Sequence, residues 1–250
     1  MKYYSEFDKK ILPPVLILII VIAITFALLL RSKSKRVRSI PTLLVALALI
    51  FIEIVKQRWN IRGEFDYFCL PFHYCSLFVV VIPLGELCGN FGYRVFRPIA
   101  TYMAFIVTFG TYLFPQAILG SACETFGESF RGTHSFVFHH LVVLYFALVL
   151  LLDLYRPRLR DIAKVGTIGI IYIAVAIPLT YIFDTNYCNF LESALEELEE
   201  YRAANGQLAY TAVISIFLTL GAMVGSFIYY IAHKILTVLG YCVGIRPIKD

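Results

Sequence analysis

The residues most able to do chemistry in this chain are its histidines, five in 250 residues. His73 stands in the run Leu70-Pro71-Phe72-His73-Tyr74-Cys75-Ser76, and His139-His140 follow His134 at the start of a later apolar stretch. Imidazole is the side chain whose ordinary pKa suits proton transfer near neutral pH. A thiol beside it can be activated as a nucleophile, with the histidine taking the proton. Cys69 precedes His73 by four residues, so the two share a face in an unbroken helix, whereas Cys75 points elsewhere. Pro71 loosens such a helix and frees backbone carbonyls. Each of these residues also has a plainer reading: the cysteines as small buried hydrophobes, His73 as an interhelical hydrogen-bond partner.

What positions them is a membrane. The chain is 60% hydrophobic and 16% charged, more apolar surface than a soluble domain of this size can cover. The apolar runs are continuous rather than alternating, so they read as spanning helices and not barrel strands. The expected fold is all-α, a single polytopic helix bundle over residues 1–250. About seven spans are expected, near 11–30, 40–55, 67–84, 99–114, 134–152, 165–183 and 208–231. The first run is too long for a signal-peptide core and lacks a small-residue cleavage site, so it reads as a retained helix. The connections 31–39, 85–98 and 153–164 plus the C-terminal tail carry 14 of the 22 Lys and Arg. The positive-inside rule therefore puts the N-terminus outside and the C-terminus in the cytoplasm of a cell-membrane protein.

That topology gathers four histidines in the outer half. On an unbroken helix His73 would lie roughly 9 Å below the outer boundary, and His139 and His140 would reach nearly the same depth. Glu53, near the outer end of the second span, and Asp184, just past the sixth, can face the same cavity. The expected site comprises His73, His139, His140, Cys69 and Cys75 for chemistry, with Glu53, Tyr74 and Ser76 contacting substrate. Ionisable groups inside a bilayer are costly enough to mark function.

Several classes drop out. Basic residues sit at helix ends rather than on one face, which argues against nucleic-acid binding. No CxxC pair with zinc spacing occurs, and no metal or cofactor is expected. Five histidines are too few for a membrane di-iron site, a G-x-S-x-G elbow is absent, and Lys234 lies too near the cytoplasmic end for a retinal lysine. Residues 191–203 read as an outer amphipathic helix with Leu191, Leu195, Leu198 and Tyr201 on one stripe, ending at Asn205-Gly206. Gly221 and Gly225 form a GxxxG spacing that permits close helix packing. Cys123 and Cys188, in two long outer connections, could form a disulfide, the plainer reading being two unrelated thiols.

The Leu70–Ser76 stretch followed by His139-His140-Leu141 resembles the YwaF-like bacterial membrane proteins, grouped with the animal transmembrane-protein-164 acyltransferases. The resemblance implies lipid acyl transfer: a fatty acyl group moved between a phospholipid and a lysolipid acceptor, with membrane phospholipids as partners. In the animal members a cysteine nucleophile directly precedes the first histidine. Phe72 stands there in this chain, so the histidines carry over and the thiol does not. Cys69 or Cys75 would substitute, or a histidine would act directly on the acceptor hydroxyl, or the chemistry is lost. The competing class is a transporter or small-ligand receptor with the histidines lining a polar pathway.

Overall fold

The computed structural model describes residues 5–193 and 196–242, and side chains as far as residue 239. The described residues are helical, without strands. In chain order they form α1 (Glu6–Leu30), a one-turn α2 (Lys35–Arg38), α3 (Ile40–Arg62), α4 (Phe78–Leu87) and α5 (Gly89–Leu113). These are followed by a one-turn α6 (Pro115–Ile118), α7 (Phe130–Leu151), α8 (Asp161–Phe183) and α9 (Glu196–Cys242). Among the described residues five helical stretches are long and apolar enough to cross a membrane: α1, α2 with α3, α7, α8 and α9. The shorter α4 and the central α5 bring the bundle to about seven, as expected. This is a multi-pass membrane protein.

The bundle is organised around α5. Every residue from Ile99 to Phe105 is buried, because α4, α7, α8 and α9 all pack on this helix. Over this stretch the helix has no outward face, so it can carry Thr101 and Tyr102 among apolar neighbours. The outer helices instead turn Leu18, Leu28, Ile171, Ile182 and Phe217 outward, as a bilayer-facing surface requires. The stretch 85–98, expected as a connection, is helical: α4 ends at Leu87 and α5 starts at Gly89, whose φ of +54° makes the reversal possible. The helices meet so closely that a Cβ on Gly92 would lie 2.2 Å from the Leu84 carbonyl oxygen.

One expectation needs correction. The third span is not one helix from Tyr67: residues 67–77 form two short 3-10 turns, Tyr67–Cys69 and Tyr74–Leu77, with extended backbone at Leu70 and His73 (ψ 151° and 147°). Proline disfavours helical backbone at the residue before it, so Leu70 cannot continue a helix into Pro71. Cys123 and Cys188 are both free thiols, the unbridged one of the two alternatives the sequence allows. The span Glu196–Cys242 comprises two helices that meet at a non-helical Gly206, φ +83° and ψ 166°, so the outer amphipathic helix stops at the expected Asn205-Gly206; the stripe residue Leu195 lies outside the described residues. On this segment Arg202 holds the Glu199 carboxyl below its usual range through a side-chain hydrogen bond.

The two ends of the bundle differ in content. One end collects the N-terminus of α1, the C-terminus of α3 and the N-terminus of α7, and is here termed the histidine end. The other, the basic end, collects α2 and the 152–160 connection. It is tied together by Arg38 Nη1 donating to the Leu152 carbonyl at 2.8 Å and by Tyr102 Oη donating to the Arg158 carbonyl at 2.9 Å.

Candidate functional site

The unwound segment 66–77 dominates the histidine end. Irregular backbone at membrane depth survives only where protein satisfies its polar groups, and here distant side chains do so. Gln57 Nε2 donates to the Cys69 carbonyl at 2.9 Å, and Asn60 Nδ2 donates to the Asp66 carbonyl at 3.1 Å. Tyr172 Oη, on α8, bonds the His73 carbonyl at 2.6 Å and the Pro71 carbonyl at 3.2 Å. Tyr187 Oη donates to the Tyr67 carbonyl, and the Cys188 thiol reaches the Phe72 carbonyl at 3.5 Å. Cys188 itself has φ +54°, and Asp184 and Asn189 beside it also adopt positive φ. Strained non-glycine backbone of this kind persists only where surrounding contacts over-determine it.

His73 is half-buried in this segment. Its Nε2 donates to the Phe68 carbonyl at 3.0 Å, and its ring packs against Phe68 and Tyr187. A carbonyl only accepts, so Nε2 carries the proton and Nδ1 offers a lone pair. Beneath the segment, α3 presents Glu53, Lys56, Gln57 and Asn60 at helical spacing on one face. Lys56 Nζ lies 2.9 Å from Glu53 Oε2, both side chains being almost enclosed, and His134 Nε2 on α7 lies 3.8 Å from the same oxygen. Gln57 Nε2 donates to Glu53 Oε1 at 2.7 Å. The Lys56 ammonium is within electrostatic range of His73, Cys69, Cys75 and His134. Arg131 pairs with Asp66 and lies over the Trp59 ring at the rim.

The other expected residues are distributed around this centre. His139 and His140 are buried, and each donates Nδ1–H to the carbonyl four residues back, Ser135 and Phe136, at 2.7 Å. Each Nε2 is buried without a partner. Neighbours on a helix point about 100° apart, and the rings diverge: His139 packs on Phe138, His140 on Phe136 and Tyr112. No hydrogen bond, ion pair or ring contact joins either to His73. The equal-depth pairing rested on an unbroken third helix, which this chain lacks. Cys69 does not stand beside His73 either; it faces Arg131, Asp66 and Lys56. Cys75 lies within electrostatic range of Cys188. Tyr74 packs edge-on against Tyr172 and its hydroxyl is buried without a partner, while Ser76 is buried with its N–H donating to the His73 carbonyl at 2.8 Å.

Sequence reasoning missed Lys56, Gln57, Tyr172, Tyr187 and Cys188 as parts of this region, and His134 as a partner of Glu53. The Glu53/Lys56/Gln57/Asn60 spacing was readable, but the second span was ended at Val55; α3 in fact continues to Arg62.

Beside the segment an apolar lateral groove of about 270 Å³ runs between α4 and α8, lined by Pro71, Phe72, Val79, Val80, Ile171 and Tyr172. Among the described residues no cluster of His, Cys, Asp and Glu has a metal-binding arrangement. A helix-rich bundle with an unwound histidine segment over buried charge matches one known family: the TMEM164 family model covers residues 4–243. The chain belongs to the TMEM164 family. No curated protein and no solved structure gives a match. The family match spans α1 to α9, so both the unwound segment and the α3 polar face lie within the part that defines this TMEM164-family chain.

Proposed function

We propose that this protein is a membrane-embedded acyltransferase that moves a fatty acyl group between a phospholipid and a lysolipid acceptor, at the histidine end of the bundle facing the outer leaflet. The observation that carries the reading is the juxtaposition of His73 with the lateral groove: Phe72, the residue before it, and Pro71 line that groove. The groove is lined by apolar side chains and lies between helices whose Val80 and Ile171 are exposed to the lipid side. An acyl chain can enter there from the bilayer while its ester is held at the unwound backbone.

The chemistry follows from the groups present. An ester carbonyl under attack develops negative charge, and a nearby buried cation such as Lys56 stabilises it more than water would. His73 Nδ1 offers the substrate a hydrogen-bond acceptor beside the groove. Phe72 occupies the position of the animal thiol, Cys69 faces the Arg131–Asp66 pair, and Cys75 is enclosed. Attack by the acceptor hydroxyl itself, aided by a histidine base, is therefore the route this arrangement favours. The reading does not require His139 and His140 to touch substrate; their buried Nε2 lone pairs remain available to a hydroxyl or water.

The test is transfer of a deuterated acyl chain from phospholipid to lysolipid by purified protein in liposomes, followed by mass spectrometry. Wild-type protein should generate labelled product, and Ile171→Trp, which fills the groove, should lower the rate and shift preference toward shorter chains. Absence of transfer from a panel of phospholipid donors, with solute flux into the same liposomes, would replace the enzyme by a transporter.

A further inference from the structure

Glu53 is almost wholly enclosed, 7% exposed, on a helix face that a bilayer would otherwise charge heavily. Its surroundings are asymmetric. Oε1 is occupied by the Gln57 amide, which also holds the Cys69 carbonyl and so fixes the carboxylate plane relative to the unwound segment. Oε2 is ion-paired with Lys56 but accepts no aligned hydrogen bond, and His134 Nε2, also buried without a hydrogen-bond partner, lies 3.8 Å from it. Two enclosed, unmatched polar atoms this close are complementary only if Nε2 carries the proton. That leaves Nδ1 of His134 as the lone pair, without a protein partner. The ring is otherwise confined between Phe130 and Phe138, four residues to either side on α7, which limits its rotation.

We propose that Glu53 and His134 form a carboxylate–imidazole dyad, in which Glu53 is a positioning residue that fixes His134 as the general base of the acyl transfer; this rests on the acyltransferase reading above. In the step assigned to it, His134 Nδ1 takes the proton of the acceptor hydroxyl as that oxygen bonds to the acyl carbon. The bond from that carbon to the donor's glycerol oxygen then breaks, and this oxygen leaves with the proton returned by the imidazolium. Nothing is oxidised and no acyl-enzyme forms. Glu53, ion-paired with Lys56, orients the ring and stabilises its charged form without itself accepting the proton.

The experiment combines rates with a spectroscopic readout on the full chain in phosphatidylethanolamine/phosphatidylglycerol liposomes. The Glu53→Gln replacement is isosteric and retains an oxygen for the Gln57 amide, so the helix pair stays assembled. Its kcat should fall about 100-fold, with KM for the lysolipid within twofold, and His134→Ala should fall at least as far. In ¹⁵N-histidine NMR spectra, the resonance lost in His134→Ala should show Nε2 protonated and Nδ1 bare in wild type, and this preference should vanish in Glu53→Gln. Transfer that survives both substitutions, or a wild-type His134 protonated at Nδ1, overturns the dyad alone. Wild-type protein that transfers no acyl group overturns the acyltransferase reading, and the base role with it, even where the Nε2–H tautomer is seen.

Discussion

Two nearly enclosed ion pairs among the described residues, Glu86–Arg97 at the basic end and Glu53–Lys56 at the histidine end, are built on opposite principles. At the basic end Glu86 of α4 is met by Arg97 Nη2 of α5 at 2.5 Å, Thr42 Oγ1 of α3 at 2.8 Å and Tyr145 Oη of α7 at 3.0 Å. Four helices therefore converge on one carboxylate whose oxygens are both taken. At the histidine end Glu53 and Lys56 are one turn apart on the same helix, and on α7 His139 and His140 each bury an unpartnered Nε2. The first arrangement spends its polar atoms on fixing helix positions. The second leaves acceptors open, at a continuing cost to stability, which is what a site that must receive a ligand's hydrogen bonds looks like.

Breaking the closed pair should give the largest stability change. Arg97→Ala leaves the Glu86 carboxylate buried without its cation, and unfolding in detergent should show a loss of about 3–5 kcal/mol. The Arg97→Ala/Glu86→Gln double variant should recover part of that loss, because the uncompensated charge is gone. If both variants unfold like wild type, the basic end is not the structural clamp described.

The open end should respond in the other currency. His73→Ala should reduce acyl transfer about tenfold through loss of its contact to substrate, and cost only about 1 kcal/mol of stability from the lost Phe68 carbonyl bond. Equal losses of stability at the two ends, with transfer retained per folded molecule, would erase the distinction. A smaller effect is expected from Tyr172→Phe, which removes the donor to the Pro71 and His73 carbonyls. About 1–2 kcal/mol should be lost, and hydrogen exchange should rise in residues 71–76 before the rest of the bundle opens.

The same contrast shows how much could be read without coordinates. Helix number and order follow from the apolar runs, and Pro71 marks the break in the third of them, because both are local in sequence. What satisfies the broken backbone is not local: Tyr172 lies about a hundred residues from His73, and Tyr187 further still from Tyr67. Depth arithmetic at 1.5 Å per residue failed at His73 for the same reason, since the segment is extended there. Asp8 illustrates the complement. Its first-turn position is explained by its capping box with Ser5, but the bond from Gln116 Nε2 at 2.7 Å that ties α1 to α6 is visible only in the fold.

The smallest expected effect separates two glycines that look equivalent in sequence. Gly221 and Gly225 share the GxxxG spacing, yet only Gly225 is at a close helix contact. A Cβ there would lie 2.7 Å from Cγ1 of Ile106 on α5, whereas a Cβ on Gly221 would meet nothing within 4 Å. The motif is thus one packing glycine and one facing outward, not a two-residue seam. Gly225→Ala forces the Ile106 side chain to shift, and a cost of about 1–3 kcal/mol is expected from overpacking. Gly221→Ala introduces no contact and removes the conformational freedom of glycine within a helix, so it should stabilise by up to about 1 kcal/mol. Thermal unfolding of the two single variants in one detergent decides the matter. Destabilisation by Gly221→Ala as large as that by Gly225→Ala would mean that the outward face of α9 is covered by something, and would make the basic and histidine ends parts of a larger assembly.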